Sequence, residues 1–358
     1  MIVIVLLLTL APVCRAREQS LWDEFGVDEL ARAGERYDVG VELSEELKLE
    51  HGMEDLLERA VGYLPGVLRS GLRSALVLMV VVLLCAMADG LRSAGIEQNG
   101  LNVCVMAGAL AITGISANDM SSMLGLGRST IDSMQGFSQV LLPLVAACTA
   151  ATGAPAAAAA RQVATALFSG ILLRLIDRLL IPLVYAYVVV CTAHAAVGNP
   201  GLKKVAVVLK WVVTRSLTTL LVLFVTYLTV SGTIAGTTDA AALKAAKMAI
   251  STAVPVVGGI ISNAAETILV GAGLLKNTVG LFGMLAVLGI CLIPFLQLGV
   301  HYLTYKFSGA LAALLADSRL AELIDGISTA FALVLGMTGA SALLLLVSMI
   351  SAIAGVRV

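Results

Sequence analysis

From Leu72 to its C-terminus the chain is a series of apolar blocks, at about residues 72–88, 101–117, 138–153, 179–197, 212–231, 279–300 and 327–354. A helix of about 20 apolar residues crosses the ~30 Å hydrocarbon core of a bilayer, and there it satisfies its own backbone hydrogen bonds. The blocks predict an all-α, polytopic helical membrane protein of about seven spans, within a range of about five to nine. The range is wide because 156–176, 255–275 and 302–316 are apolar but interrupted by charge, glycine or proline. Composition agrees: 59% of the 358 residues are hydrophobic and 13% charged, against about 45–50% and 25% in soluble domains.

The net charge of -1 conceals an asymmetry. Residues 17–66 hold 14 acidic and 5 basic side chains, whereas 67–358 hold 10 acidic and 17 basic. Residues 1–16, "MIVIVLLLTLAPVCRA", read as a signal peptide: a short apolar core, then small residues, although the usual basic n-region is missing. Residues 17–66 read as an acidic amphipathic helical segment, in which Leu49, Met53, Leu56, Ala60 and Tyr63 form a stripe that Pro65 and Gly66 should end. A stripe of this kind more often packs on its own membrane body than on a partner. Residues 67–358 form the multi-span domain. Lys203, Lys204, Lys210 and Arg215 are the densest basic group, and the positive-inside rule puts them on the cytoplasmic side. A cleaved leader would put the acidic segment on the other side.

Several chemistries lack their residues. No P-loop occurs, and "GLGRST" (125–130) reads as a loop between spans. His51, His194 and His301 are isolated, so no metal site is expected. The six cysteines stand singly and read as small buried hydrophobes. There is no G-x-S-x-G, and no basic patch concentrated enough for nucleic acid. The expectation is a protein with no enzymatic activity and no cofactor.

What remains is charge at membrane depth, which costs about 2.5–3.5 kcal/mol per group at mid-helix and calls for a partner or water. In "TTDAAALKAAK" (237–247), Asp239 can cap a short amphipathic helix whose Lys244 and Lys247 lie one turn apart at the interface. In "VPVVGGIISNAAETILVGAGLLKNTVG" (254–280), Pro255, Gly258 and Gly259 permit a break and Ser262 can satisfy freed backbone groups, so a broken or re-entrant helix is expected near 254–280. Glu266 and Lys276, ten residues apart, would meet only across a turn at 271–273. Arg174 should pair with Asp177 at a helix end. The G-x-x-x-G of Gly232 and Gly236 allows close helix packing and leaves a homo-oligomer open.

The order and spacing of "DAAALKAAK", "VPVVGGIISNAAETI", "LLKNTVG" and "ICLIPFLQL" resembles the stage III sporulation protein AE family of endospore-forming bacteria. The resemblance implies a subunit of a sporulation channel or secretion-like complex in the mother-cell membrane around the forespore. Its implied partners are a secretion-type ATPase, ring-forming subunits and a forespore membrane channel protein. It supplies no catalytic residue, but Asp239, Lys244, Lys247, Pro255, Gly258, Gly259, Ser262, Lys276 and Asn277 match its motif positions and, with Glu266, are candidates for gating or partner contact. The rival reading is a self-sufficient secondary transporter with a solute site at the break. Many transporters are built from two related halves, and "VPVVGG" has no counterpart in the first half of this chain.

Overall fold

A computed structural model describes residues 26–43, 47–93, 103–253 and 258–354. Every regular element among them is a helix: α1 (Val27–Arg36), α2 (Leu49–Ser93), α3 (Val103–Ala151), α4 (Pro155–Leu175), a π-helical segment (Ile176–Leu180), α5 (Ile181–Val197), α6 (Pro200–Ala253), α7 (Gly258–Leu315) and α8 (Ser318–Ala354). Six stretches among the described residues are long and apolar enough to cross a membrane. Two expected spans, 101–117 and 138–153, are the two ends of α3.

Local chemistry sets the helix ends. α5 stops at Gly198, whose left-handed φ of 75° lets its N–H reach the His194 carbonyl at 2.7 Å. Pro200 then starts α6, a position where the missing proline N–H has no cost. Between α7 and α8 the Asp317 carboxylate accepts the Arg319 backbone N–H at 2.8 Å and its guanidinium at 3.1 Å, capping α8. Asp28 and Glu29 in the first turn of α1 and Arg36 in its last both suit the helix macrodipole.

α7 and α8 form the central antiparallel hairpin, with Tyr305 and His301 edge-on to Phe331 at ring-centroid distances of 4.9 and 6.0 Å. α3 lies antiparallel to α7: Asp119 meets Tyr305 near one end, and Phe137 meets Phe282 at 6.2 Å further along. α4 and α5 run along α8, where Thr165 bonds Ser348 at 2.5 Å. α6 packs outside them through Phe224 and Tyr227 against Phe168. Small residues sit where helices close in, among them Gly127 against Val334 and Gly283 against Leu141. Without a hydrophobic drive between helices in lipid, such close packing supplies much of the association.

α1 buries Val27, Leu30, Ala33 and Gly34 on the bundle and leaves Asp28, Glu29 and Glu35 exposed. Tyr37 and Val39 continue the docked segment, Tyr37 edge-on to Phe137 at 6.3 Å. Of the acidic segment, residues 27–39 therefore pack on the bundle.

Four local expectations give way to tertiary packing. α2 passes through Pro65 and Gly66, so the 66/67 boundary lies inside a helix. Pro65 is exposed, so its ring and the carbonyl it frees face away from the bundle. The stripe that packs is Gly52, Leu56, Val67, Gly71, Leu78 and Val82, while Leu49, Met53 and Tyr63 are exposed. "GLGRST" is helical within α3, because Gly127 fits against Val334 and Arg128 reaches across to the π-helical segment between α4 and α5. Arg174 and Asp177 do not end a helix: the chain winds on from α4 through the π-helical segment into α5. Asp177 pairs at 3.2 Å with Arg128, on another helix.

Candidate functional site

The family-like motif is spread over two helices. Asp239, Lys244 and Lys247 fall in the interior of α6, so Asp239 caps no helix start and no separate interfacial helix forms there. Pro255 lies outside the described residues. Gly258, Gly259, Ser262 and Glu266 are on the first turns of α7, with side chains also outside what the structure describes. α7 is unbroken from Gly258 onward, so 271–273 is helix and supplies no turn to bring Glu266 to Lys276. Backbone hydrogen bonding within one long helix outweighs the freedom that paired glycines offer.

Lys276 and Asn277 can be placed fully. Lys276 is 2% exposed, and Asn277 next to it is exposed. The antiparallel run of α3 along α7 sets the position of Lys276: a Cβ on Gly273 would stand 4.0 Å from Thr152, and one turn on the Lys276 ammonium is within electrostatic range of Cys148. A second cation, Arg161 of α4, is within the same range and only 7% exposed. Thr149 and Thr165 are buried on the same helices, and Thr152 in the turn after α3. Two cations thus share a low-dielectric junction of α3, α4 and α7, where charge–charge interactions are several times stronger than in water.

Arg161 is absent from the sequence-based candidates. It stands in "PAAAAARQVATAL", where a lone arginine after an alanine run is itself a signal, since an intramembrane cation is costly unless the interior holds it. A second missed feature is the Tyr305 hydroxyl, fully buried, which donates to Asp119 at 2.9 Å and ties α7 to α3. Neither spacing nor composition connects residues 186 positions apart. No group of three or more His, Cys, Asp or Glu among the described residues is placed to hold a metal ion.

The comparisons with known proteins agree in direction. The family described as Stage III sporulation protein AE matches residues 41–356. Stage III sporulation protein AE of Bacillus subtilis (strain 168) is 25% identical over 198 residues, which cover 55% of this chain and 50% of that protein. The chain thus spans about half the length of the curated relative it matches. No solved structure matches it.

Proposed function

Since the chain belongs to the Stage III sporulation protein AE family, we propose that it is a non-enzymatic membrane subunit of a channel or secretion-like complex between mother cell and forespore. Its place would be the mother-cell membrane that surrounds the forespore. The observation that carries this reading is Lys276: an ammonium in the family-like motif, buried beside Arg161 at a junction of three helices. A bundle that only had to pack would do so with an apolar residue there, since interior charge is costly. Six apolar stretches support the multi-pass placement. The proposed neighbours are a secretion-type ATPase, ring-forming subunits and a forespore membrane protein, with the motif on α6 and the start of α7 as the contact or gate.

The test is purification of the tagged protein from sporulating cells in mild detergent, with mass spectrometry of what accompanies it, for wild type, Lys276→Ala and Lys276→Arg. The expected result is recovery of an ATPase and ring proteins with wild type and with Lys276→Arg. Loss of these in Lys276→Ala would make the region an assembly contact. Retained partners with arrested sporulation would make it a gate. A wild-type protein that returns alone and moves solute in liposomes would overturn the proposal in favour of a transporter.

A further inference from the structure

At the end of the bundle where the α5–α6 and α7–α8 turns lie, these four helices line an open cavity of about 790 Å³. Lys203, Lys210 and Lys306 line it, together with Glu322 and Asp325. Both carboxylates are already engaged: Glu322 with Lys203 at 2.8 Å and His194 at 3.4 Å, Asp325 with Lys306 at 2.5 Å. Among the described residues no carboxylate pairs with Lys210. Three ammoniums against two committed carboxylates leave the cavity an excess of positive charge. Lys203 and Lys210 are seven residues apart, so both occupy one face of α6, about 10 Å apart along its axis. They lie within the first few turns after Pro200, the depth from which a lysine stem reaches the headgroup layer.

The walls are apolar, and they continue outside the cavity. Val207 and Phe307 line it and are 63% and 66% exposed, and Trp211, 62% exposed, flanks Lys210 on α6. A soluble anion would have no use for this surface, whereas an acyl chain would. Tryptophan is also a residue that favours the membrane interface. We infer that the cavity holds the phosphate headgroup of an anionic phospholipid, with an acyl chain laid along Val207, Trp211 and Phe307. This site lies apart from Lys276 and does not depend on the role proposed for it.

Trp211 provides the readout, since the only other tryptophan is Trp22. The full chain carrying Trp22→Phe is reconstituted in phosphatidylcholine vesicles containing a minor fraction of bromine-labelled phosphatidylglycerol, or the same fraction of bromine-labelled phosphatidylcholine. Bromine quenches only a tryptophan that touches the labelled chain. Phosphatidylglycerol should be preferred by roughly fivefold for each lysine that meets the phosphate. Lys210→Gln should lower that preference and Lys210→Gln with Lys306→Gln should remove it, while Lys48→Gln, far along the bundle, leaves it intact. Lys210→Gln removes an exposed, carboxylate-free side chain, so it carries the test even if the double variant fails to fold. Equal quenching by the two lipids in the Trp22→Phe protein, or a preference unchanged in Lys210→Gln, would overturn the inference. So would loss of the preference on adding inorganic phosphate, which would mark a site for free phosphate.

Discussion

Gly289→Ala should loosen the N-terminal segment without unfolding the bundle. A Cβ at Gly289 would fall inside the van der Waals shell of the Val39 carbonyl oxygen, 2.9 Å from its carbonyl carbon and 3.3 Å from Leu56. The obstacle is backbone, so it cannot be relieved by a side-chain rotation. Overpacking of this kind costs about 1–3 kcal/mol. The segment is held by Val27, Leu30 and Val39, all 1% exposed or less, and burying each is worth about 1.5–3 kcal/mol. Docking therefore outweighs the clash. The segment should stay docked but open more often, by about 5- to 150-fold for the same 1–3 kcal/mol. Hydrogen exchange of the detergent-solubilised protein, read on peptides covering residues 27–41, measures this directly. Gly299→Ala is the control, since a Cβ there meets nothing within 4 Å; a helical Gly→Ala change should gain about 0.5–1 kcal/mol. Unchanged exchange at 27–41 in Gly289→Ala, or an increase spread equally over α8, would refute the docking of this segment on α7.

Tyr305→Phe removes the donor to Asp119 and should lower stability by about 1.5–3 kcal/mol, the range for a bond to a charged acceptor; thermal unfolding in detergent reads it, and an unchanged midpoint would make the bond irrelevant. Arg128→Ala should cost no more than about 1 kcal/mol, because the guanidinium facing Asp177 is more than half exposed; a double-mutant cycle with Asp177→Ala gives the coupling. At the α7–α8 turn, hydrogen bonding to Arg319 holds the Asp317 carboxyl below its usual range. The stabilisation is full above the ordinary aspartate pKa of about 3.9 and is lost as pH falls through the lower folded value. Exchange at residues 315–322 should therefore rise on acidification through that window in wild type and not in Asp317→Asn.

The all-helical, multi-span class was legible because burial in lipid and length act on contiguous residues. The pairing of particular residues was not. Asp177 has a cation three residues away in Arg174, which is as far as helical spacing can see, yet the structure pairs it with Arg128. Glycine and proline read locally as helix ends, and here they are not. Gly127 is a contact point for Val334, and Pro65 sits on an outward face. Of the motif, Lys276 was legible as a cation in an apolar run, but its neighbour Arg161 depends on how α4 docks, which no single helix encodes.

The long helices have a dimension that composition does not reveal. α3, α6 and α7, with 49, 54 and 58 residues, rise about 74, 81 and 87 Å at ~1.5 Å per residue, more than twice the ~30 Å hydrocarbon thickness. Such helices have room for both lipid-facing turns and turns that carry charge, as the polar middle of α3 does with Asp119, Arg128 and Asp132.

The π-helical segment gives the molecule a tolerance in length. Leu172, Ile176, Leu180 and Val184 are all buried, each four residues after the last. In a regular α-helix such steps drift about 40° apiece, and the wider turn at 176–180 absorbs the drift. Removing one residue within that turn would leave the outer two eleven residues apart, about three full turns of ordinary winding. The chain could therefore shorten by one residue here while α5 keeps the same side toward α8. The same deletion a few turns away would swing everything downstream by about 100°. Among relatives, length variation in this helix should gather at this one place.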